Sequence, residues 1–333
     1  KDGLIETVGS GEPRIDFKDN TKGALLLEPQ STNLVLESNN FNNYFTKIND
    51  ASVQSNQVIS PDGTLNADKI IRGSADLSLR RNSQVATGTE YTFSIYAKKG
   101  TASSIRLDIG DEGMTTFNLT DYWQRFNVKA TPSSYGHIDI EIPNANQGDY
   151  IYVFGAMVEQ NSYATSYIST SGQANGVTRV EESSSQTLPS SVFNSYPFSV
   201  FAEVDVVDTS SGYAFSLLNK ASSNNYFTIE YYSNKWHIVA RPSGSTITRS
   251  SLEILTKGTH KLVGVYTDTN LKLYLNGSLI ASGSNTQSFN SNVDSLLLGQ
   301  LRISGDTNSR NTIRQTYLYN NELTDAEAIA LTS

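Results

Sequence analysis

The chain of 333 residues contains no cysteine and only three histidines, His137, His237 and His260. The lack of thiols excludes cysteine catalysis and thiolate metal sites, and a histidine-rich zinc site is not expected from three imidazoles. Small secreted domains commonly rely on disulfides, so the absence of cysteine is typical of a protein that folds in a reducing cytoplasm.

Basic residues are also few. The 25 Lys and Arg stand against 33 Asp and Glu, which gives a formal net charge of −8. The basic clusters extend no further than Arg80-Arg81 and Lys98-Lys99, whereas a nucleic-acid-binding protein usually carries a basic face. No apolar run approaches the length of a membrane span. The sequence therefore predicts neither a nucleic-acid partner nor membrane insertion, and no signal peptide is expected at its start.

The composition instead favours strands and turns. Hydrophobic residues make up 37% and charged residues 17% of the chain, so Ser, Thr, Asn and Gly dominate the remainder. The 18 Tyr outnumber the 13 Phe. Because tyrosine joins an apolar ring to a hydroxyl group, this balance suits half-wet β surfaces and contacts with sugars alike.

Residues 23–38, GALLLEPQSTNLVLES, are the stretch around which we interpret the chain. Pro29 has a fixed φ and no N–H, and it pushes Glu28 towards an extended conformation. The stretch therefore predicts two short strand-like pieces joined by a polar corner. Residues 1–30 are predicted to form an extended leader, with an ordinary first strand as the alternative.

Residues 31–170 are predicted to form a first module of short alternating strands. One strand places Tyr91, Phe93, Ile95 and Ala97 on one face, and two others alternate isoleucine or leucine with Arg106 and Asp108 and with His137, Asp139 and Glu141. Residues 150–158 are apolar on both faces, which indicates a central strand. Strands at this spacing, with turns between them and no long helical period, favour a sandwich or jelly roll.

Residues 171–190, rich in Ser, Gly, Gln and Glu, are predicted to be a linker, and residues 191–333 a second β module. Ser233-Asn234 and Asn276-Gly277 are predicted hairpin turns, the latter because a type I′ turn needs positive φ at both positions. Thr324 and Glu327 form a capping-box pattern, which predicts a helix running to about Leu331.

The order of several motifs resembles a segment found in bacteriophage virion proteins. The motifs are KDGLIE, PRIDF, GALLLEPQSTNL, SPDGTLNADKI, YTFSIYAK and GAMVEQNSYATSYIST, followed by Thr178-Arg179. Together they cover roughly residues 1–179. The resemblance implies a tail-fibre or head-fibre component with lectin-like modules.

The second half resembles the laminin-G-like branch of concanavalin A-like lectin folds. KLYLNGSLIA, residues 272–281, and YNNELTDAE, residues 319–327, carry this resemblance, which covers roughly residues 198–331. The family often has Trp-x-His before the strand that leads to the Asn-Gly hairpin, whereas this chain has Gly258-Thr259-His260. A ligand site is therefore not transferred from the family.

Three kinds of site can be considered. Sugar rings stack on aromatic side chains, and the candidate carbohydrate-binding residues are Trp123 with Tyr122 and Trp236 with Tyr232, although burial in the core is the ordinary fate of such rings. Jelly-roll carbohydrate modules often hold a structural calcium ion, and Glu37 and Glu159 are the candidate ligands, with simple surface acids as the alternative.

The third kind is catalytic. Glu203, Asp205 and Asp208 resemble the E-x-D-x-x-E motif of some glycosidases on the concanavalin-type fold. A solvated strand face, with Val204 and Val206 in the core, is the simpler interpretation. We therefore predict no catalytic residue.

The sequence thus predicts an all-β chain of two β-sandwich (jelly-roll) modules in tandem, the second concanavalin A-like. The resemblances imply a non-enzymatic virion protein, a fibre, spike or decoration component assembled in the host cytoplasm, that binds host-surface glycans and contacts other virion proteins. A glycan-degrading enzyme and a purely structural virion protein are the alternatives. A homo-oligomer and a bound calcium ion are left open, and no heptad seam supports a trimer.

Overall fold

The structure is a computed structural model that describes residues 5–9, 11–17, 21–82, 84–173, 175–190, 193, 197–219, 221–285, 293–300 and 311–333. The chain is almost all β, with 51% strand and 5% helix, which confirms the predicted fold class. Contacts divide it into an N-terminal unit, Lys1–Thr7 with Ser31–Val180, and a C-terminal unit, Val8–Gln30 with Glu181–Ser333. Among the described residues, no helix is long and apolar enough to cross a membrane.

The N-terminal unit contains twelve of the described strands and one short helix. In chain order they are β3 (Ser31–Asn33), α1 (Phe41–Tyr44), β4 (Thr46–Lys47), β5 (Ser52–Ile59), β6 (Leu65–Ile71), β7 (Leu77–Arg81), β8 (Tyr91–Lys99), β9 (Ser104–Ile109), β10 (Thr115–Asn118), β11 (Gln124–Ala130), β12 (Ile138–Glu141), β13 (Tyr150–Glu159) and β14 (Val177–Arg179).

Two antiparallel five-stranded sheets form this unit. The front sheet has the order β11-β8-β13-β6-β5 and the back sheet the order β10-β9-β12-β7-β4, while β3 pairs with β14. The alternation seen in the sequence explains the packing, since every second side chain of a strand points to the same face. Fully buried residues of both sheets meet in one core, among them Phe93, Ile95, Ile105, Leu107, Ile138, Ile140 and Ile151.

The C-terminal unit contains the other thirteen described strands. They are β1 (Ile15–Asp16), β2 (Ala24–Leu27), β15 (Ser184–Thr187), β16 (Phe198–Val206), β17 (Ser211–Asn219), β18 (Ser222–Tyr232), β19 (Lys235–Arg241), β20 (Ile247–Ser250), β21 (Gly258–Tyr266), β22 (Asn270–Leu275), β23 (Ser278–Ser284), β24 (Ser295–Leu298) and β25 (Asn311–Tyr319), with a 3₁₀ turn at Pro242–Gly244 and helix α2 (Asp325–Thr332).

These strands form a seven-stranded sheet, β1-β2-β25-β16-β21-β22-β23, and a six-stranded sheet, β15-β24-β17-β18-β19-β20. The main core lies between them and is rich in aromatic rings, including Phe198, Phe215, Phe227, Trp236 and Tyr266. Helix α2 covers a smaller cluster on the other face of the seven-stranded sheet, in which Leu323 and Ala328 pack on Phe201 and Tyr274.

The short-range signals of the sequence are confirmed. Ser233 and Asn234 have φ of 51° and 57° and join β18 to β19, while Asn276 and Gly277 have φ of 45° and 83° and join β22 to β23. The capping box at the start of α2 is present in both directions. Strand β13 is central in the front sheet, between β8 and β6.

The units are divided differently from the predicted modules. Strands β1 and β2, within the predicted leader, join the C-terminal unit, where Leu25 pairs with Ile313 and Leu27 enters the core. The apolar run at 24–27 is stabilised by this burial and by the backbone partners on β25. The predicted linker holds β14 and β15, each paired to a strand of its own unit.

Candidate functional site

One row of aromatic and basic side chains crosses the front sheet of the N-terminal unit. Lys98 on β8 lies opposite Tyr152 on β13, Tyr152 lies opposite Lys69 on β6, and Lys69 lies opposite Gln54 on β5. Trp123 extends the row, because β11 begins at Gln124, which pairs with Ala97. We call Trp123, Lys98, Tyr152, Lys69 and Gln54 the cross-strand row.

The pleat of the strands puts this row on the face away from the core. Ala97, Ile151 and Val153, the sequence neighbours of Lys98 and Tyr152, are completely buried in the core. Successive side chains point to opposite faces of a sheet. Lys98 and Tyr152 are therefore directed outwards, and both are only half-buried.

Contacts within the row hold the rings in place. The Nζ atom of Lys98 lies 5.3 Å from the centre of the Trp123 ring and 5.5 Å from that of Tyr152. Nζ of Lys69 lies 3.8 Å from the centre of the Tyr150 ring, which meets Tyr152 edge-on at 5.4 Å. These distances fall within the range of cation–π attraction. The rings are thus oriented before any ligand arrives.

Polar groups accompany the rings. The indole Nε1–H of Trp123 donates a hydrogen bond of 3.0 Å to the carbonyl oxygen of Ile59. Partial burial and the neighbouring Tyr150 hydroxyl raise the pKa of Tyr152 above its ordinary value, so its phenol remains a neutral donor near pH 7. The row combines ring faces with an OH donor and ammonium donors.

The row is long and has an apolar border. Neighbouring strands lie about 4.8 Å apart, so four intervals span roughly 19 Å. Ile59 and Leu65, paired at the end of the β5–β6 hairpin, are 60% and 62% exposed, and Tyr122 beside Trp123 is 81% exposed. The dimensions suit an extended ligand that lies across the strands.

The structure separates the two aromatic pairs predicted from the sequence. Trp123 belongs to the cross-strand row, and Tyr122 projects next to it. The prediction that Trp236 contacts a ligand is wrong. Trp236 is only 1% exposed and packs edge-on against Tyr231 in the core, so no ring face is open to a ligand. Tyr232 is 40% exposed and stacks on His237 with ring centres 3.6 Å apart.

Glu159 does not fit calcium in this structure. Its side chain is completely buried, and its Oε2 accepts hydrogen bonds from Ser31 Oγ at 2.6 Å, Thr165 Oγ1 at 2.8 Å and Asn161 Nδ2 at 3.0 Å. Its Oε1 accepts from the Thr165 backbone N–H at 2.8 Å. These four hydrogen bonds fill the roughly four lone-pair sites of the carboxylate and leave none for a cation. Glu37 accepts from the Gly172 N–H through Oε1 at 2.9 Å.

Two carboxylates of the acidic motif, Asp205 on β16 and Asp208 after it, already accept hydrogen bonds in the structure. Asp205 accepts hydrogen bonds from Arg314 Nε, at 2.9 and 3.0 Å, and from Thr259 Oγ1 at 2.5 Å. Asp208 lies beyond the end of the strand and accepts from Ser210 Oγ at 2.5 Å. Strand pairing and loop structure account for these contacts.

Sequence reasoning missed Lys98, Lys69, Tyr150 and Tyr152 as site residues. A signal was present in the sequence, because Tyr150 and Tyr152 alternate with Ile151 and Val153. This alternation indicates that the tyrosine face of the strand is the more solvent-exposed one. The prediction of a strand that is apolar on both faces overlooks this alternation. The pairing of Lys98 with Trp123 depends on the register of β8 and β11, which alternation does not supply.

Residues 180–329 match the family model described as the concanavalin A-like lectin/glucanases superfamily. No curated protein matches the chain. Similar solved structures include the CBM40 module of the Ruminococcus gnavus IT-sialidase bound to α2,3-sialyllactose, at 16% identity and a TM-score of 0.38, covering 43% of this chain and 86% of that chain.

Two further solved structures show similarity of the same order. Domain 4 of AbnA, a GH43 extracellular arabinanase from Geobacillus stearothermophilus, in complex with arabinotriose, has 16% identity and a TM-score of 0.39, covering 49% of this chain and 79% of that one. The receptor-binding domain of botulinum neurotoxin D has 13% identity and a TM-score of 0.36, covering 44% and 40%. Likenesses at this level carry no inference about function. The family match and the two stacked sheets establish residues 180–329 as a concanavalin A-like domain.

Proposed function

We propose that this protein binds glycans and that the cross-strand row of the N-terminal unit is the binding surface. The register that aligns Trp123, Lys98, Tyr152 and Lys69 across neighbouring strands carries the proposal. Ring faces stack on the C–H faces of sugars, while hydroxyl and ammonium groups donate to sugar oxygens. The row offers both, in alternation, on one half-buried face.

The lysines give the row a preference among sugars. The chain as a whole has a formal charge of −8, yet the described row contains two ammonium groups and no carboxylate. Glycans that carry carboxylate or other anionic groups would gain charge-assisted hydrogen bonds there. We therefore expect anionic glycans to be preferred over neutral glycans of the same length.

The C-terminal unit supports the same proposal at the level of its fold. Its family is described as containing both lectins and glucanases, so the fold alone allows either binding or hydrolysis. The pairing of Asp205 with Arg314 and Thr259 favours binding over hydrolysis at the acidic motif.

We further propose that the protein works on a bacteriophage virion, as a fibre, spike or decoration component. This step rests on the resemblance of residues 1–179 to virion proteins. Many copies on one particle would convert weak single contacts with host glycans into firm attachment, because every contact after the first is effectively intramolecular. Contacts with other virion proteins belong to the same proposal.

A glycan array probed with the purified chain in multivalent form tests the binding proposal. We expect retention on anionic glycans that Trp123→Ala and Tyr152→Ala abolish and that Tyr317→Ala, a half-exposed tyrosine of the C-terminal unit, leaves unchanged. Retention that survives both row substitutions would place binding elsewhere. Release of sugar that Glu203→Gln abolishes would indicate an enzyme, and neither retention nor release would favour a purely structural protein.

A further inference from the structure

A second cluster of polar side chains lies in the back sheet of the N-terminal unit. It consists of Asp108 at the end of β9, Asp111 in the following turn, and His137 and Asp139 at the start of β12. One ligand-type atom from each residue lies within 4.8 Å of those of the other three. None of these residues belongs to the cross-strand row.

Strand register and one turn assemble the cluster. Asp139 pairs directly with Asp108, and Ile138 with Ile109, so the isoleucines face the core and both carboxylates face away from it. Gly110 and Asp111 then adopt positive φ of 63° and 64°. This turn brings the backbone N–H of Asp111 within 2.9 Å of Asp108 Oδ2.

The two paired carboxylates present an electrostatic problem. Asp108 and Asp139 are 0% and 1% exposed, and like charges directly opposite each other on neighbouring strands repel. Arg80 on β7 neutralises the charge of Asp139 and donates two hydrogen bonds to its carboxylate, of 2.8 and 2.5 Å. Oδ1 of Asp108, in contrast, is buried without a hydrogen-bond partner, which is costly for a charged oxygen.

The ring of His137 points its Nε2 atom into this group, and that atom makes no hydrogen bond. The residue is 5% exposed, and its Nε2 is buried and unpaired. That nitrogen lies 3.3 Å from Asp111 Oδ1, 3.5 Å from Asp139 Oδ2 and 3.8 Å from Asp108 Oδ2. A cation with metal–ligand bonds of about 2.0–2.2 Å and tetrahedral geometry separates its ligands by roughly 3.3–3.6 Å, close to these three distances.

We propose that Asp108, Asp111, His137 and Asp139 bind one divalent cation, for which zinc is the best fit. The three carboxylates carry three negative charges, and the guanidinium of Arg80 compensates one of them. A divalent ion would balance the remaining two. One imidazole with three carboxylates is a ligand set that zinc accepts, whereas calcium takes six to eight oxygens. The ion would fasten the β9 turn to β12, independently of glycan binding.

Equilibrium dialysis of the EDTA-treated 333-residue chain against Zn²⁺ alone tests the site. Asp111→Asn is the best probe, because the Asp111 side chain is 53% exposed and asparagine tolerates positive φ, so folding should be unaffected. Glu112→Gln, a change at the adjacent exposed carboxylate, is the matched control. His137→Gln removes the nitrogen ligand, and circular dichroism verifies the fold of each variant.

We expect wild type and Glu112→Gln to bind one Zn²⁺ per chain and to melt at higher temperature with Zn²⁺ than with EDTA. Asp111→Asn should bind Zn²⁺ at least about tenfold more weakly, because mutating even the residues that hydrogen-bond to metal ligands lowers metal affinity about 10–100-fold. This variant should also lose the Zn²⁺-dependent rise in melting temperature. Absence of saturable binding in the wild type would overturn the proposal. Equal binding by wild type and Asp111→Asn would place the metal elsewhere and also overturn it.

Discussion

At the residue scale, the buried Glu159 shows how polar groups organise the N-terminal unit. Its carboxylate accepts from Ser31, Asn161 and Thr165, and so connects the start of the unit to the segment after β13. Hydrogen bonds to a buried charge are worth more than those between neutral groups. Its role in the structure is to hold segments together.

Replacing Glu159 with Gln should destabilise the N-terminal unit. All the recorded partners of the Glu159 carboxylate are hydrogen-bond donors, and the NH₂ group of glutamine cannot accept from them. At least one buried donor therefore loses its partner, which should lower the free energy of unfolding by about 2–3 kcal/mol. Urea denaturation of the two proteins measures the difference. Glu37→Gln, which alters a half-buried residue, is the control and should cost less; equal costs would refute this role for Glu159.

His237 gives a pH dependence with a definite sign. Its Nδ1 lies 2.8 Å from Ser250 Oγ and its Nε2 lies 3.1 Å from the Tyr232 carbonyl oxygen. Burial disfavours the charged ring and lowers the pKa of His237 below 6.5. The unfolded chain therefore binds a proton more readily than the folded chain in the window below pH 6.5.

The C-terminal unit should accordingly lose stability as the pH falls from 6.5 to the lowered pKa of folded His237. Urea unfolding at several pH values between 7.5 and 5.0 measures this slope. His237→Asn removes the titrating group, so its slope should be shallower than that of the wild type. Identical slopes for the two proteins would show that His237 does not contribute.

At the element scale, the bulge in β13 separates Tyr152 of the cross-strand row from the Glu159 end of the strand. Pairing with β8 shifts between Phe154 and Met157, and Gly155 has φ of 66°. A Cβ atom there would lie 3.2 Å from the Tyr167 ring. Glycine permits both the backbone conformation and the close approach.

Gly155→Ala should therefore destabilise the N-terminal unit by more than the strain of positive φ alone, which is about 1–2 kcal/mol. Gly148→Ala is the matched control, since Gly148 has φ of 91° with no atom within 4 Å of an added Cβ. Thermal or urea unfolding compares the two variants. A cost for Gly155→Ala no larger than for Gly148→Ala would exclude the ring contact as a constraint.

The sequence predicts a structural feature well when the residues that determine it are close together in the chain, and poorly when they are far apart. Alternation and turn chemistry are local, so the strand faces, the Asn276-Gly277 hairpin and the start of α2 could be predicted. Register is not local. Alternation put Asp108 and Asp139 on polar strand faces but could not show that they pair, and it could not tell which face of β19 carries Trp236 into the core.

At the scale of the whole molecule, the chain has a formal net charge of −8, yet the cross-strand row carries the positive charges of Lys98 and Lys69. Exposed charge pairs are screened by salt, with a Debye length near 10 Å at 0.1 M and 3 Å at 1 M. Each lysine contact with an anionic glycan should contribute roughly 0.2–1 kcal/mol at low salt. If the row binds as proposed, its affinity for an anionic glycan should depend on the ionic strength of the medium.

Affinity for an anionic glycan should consequently fall several-fold between about 0.05 and 0.5 M salt, and Lys98→Met should show a weaker dependence because one contact is gone. Surface plasmon resonance at four salt concentrations measures both. A neutral glycan of equal length is the control and should show little change. Equal salt dependence in wild type and Lys98→Met would argue against charge recognition by the row.

The most direct test of the account is the dissociation constant of the best-retained glycan for the wild type, Trp123→Ala, Tyr152→Ala and Tyr317→Ala. Truncating a Trp or Tyr that anchors an interface costs about 2 kcal/mol or more. We predict that each of the two row substitutions weakens binding about tenfold or more, while Tyr317→Ala binds as the wild type does. Unchanged binding by both row variants, with their folds intact, would contradict the assignment of the cross-strand row as the glycan-binding surface.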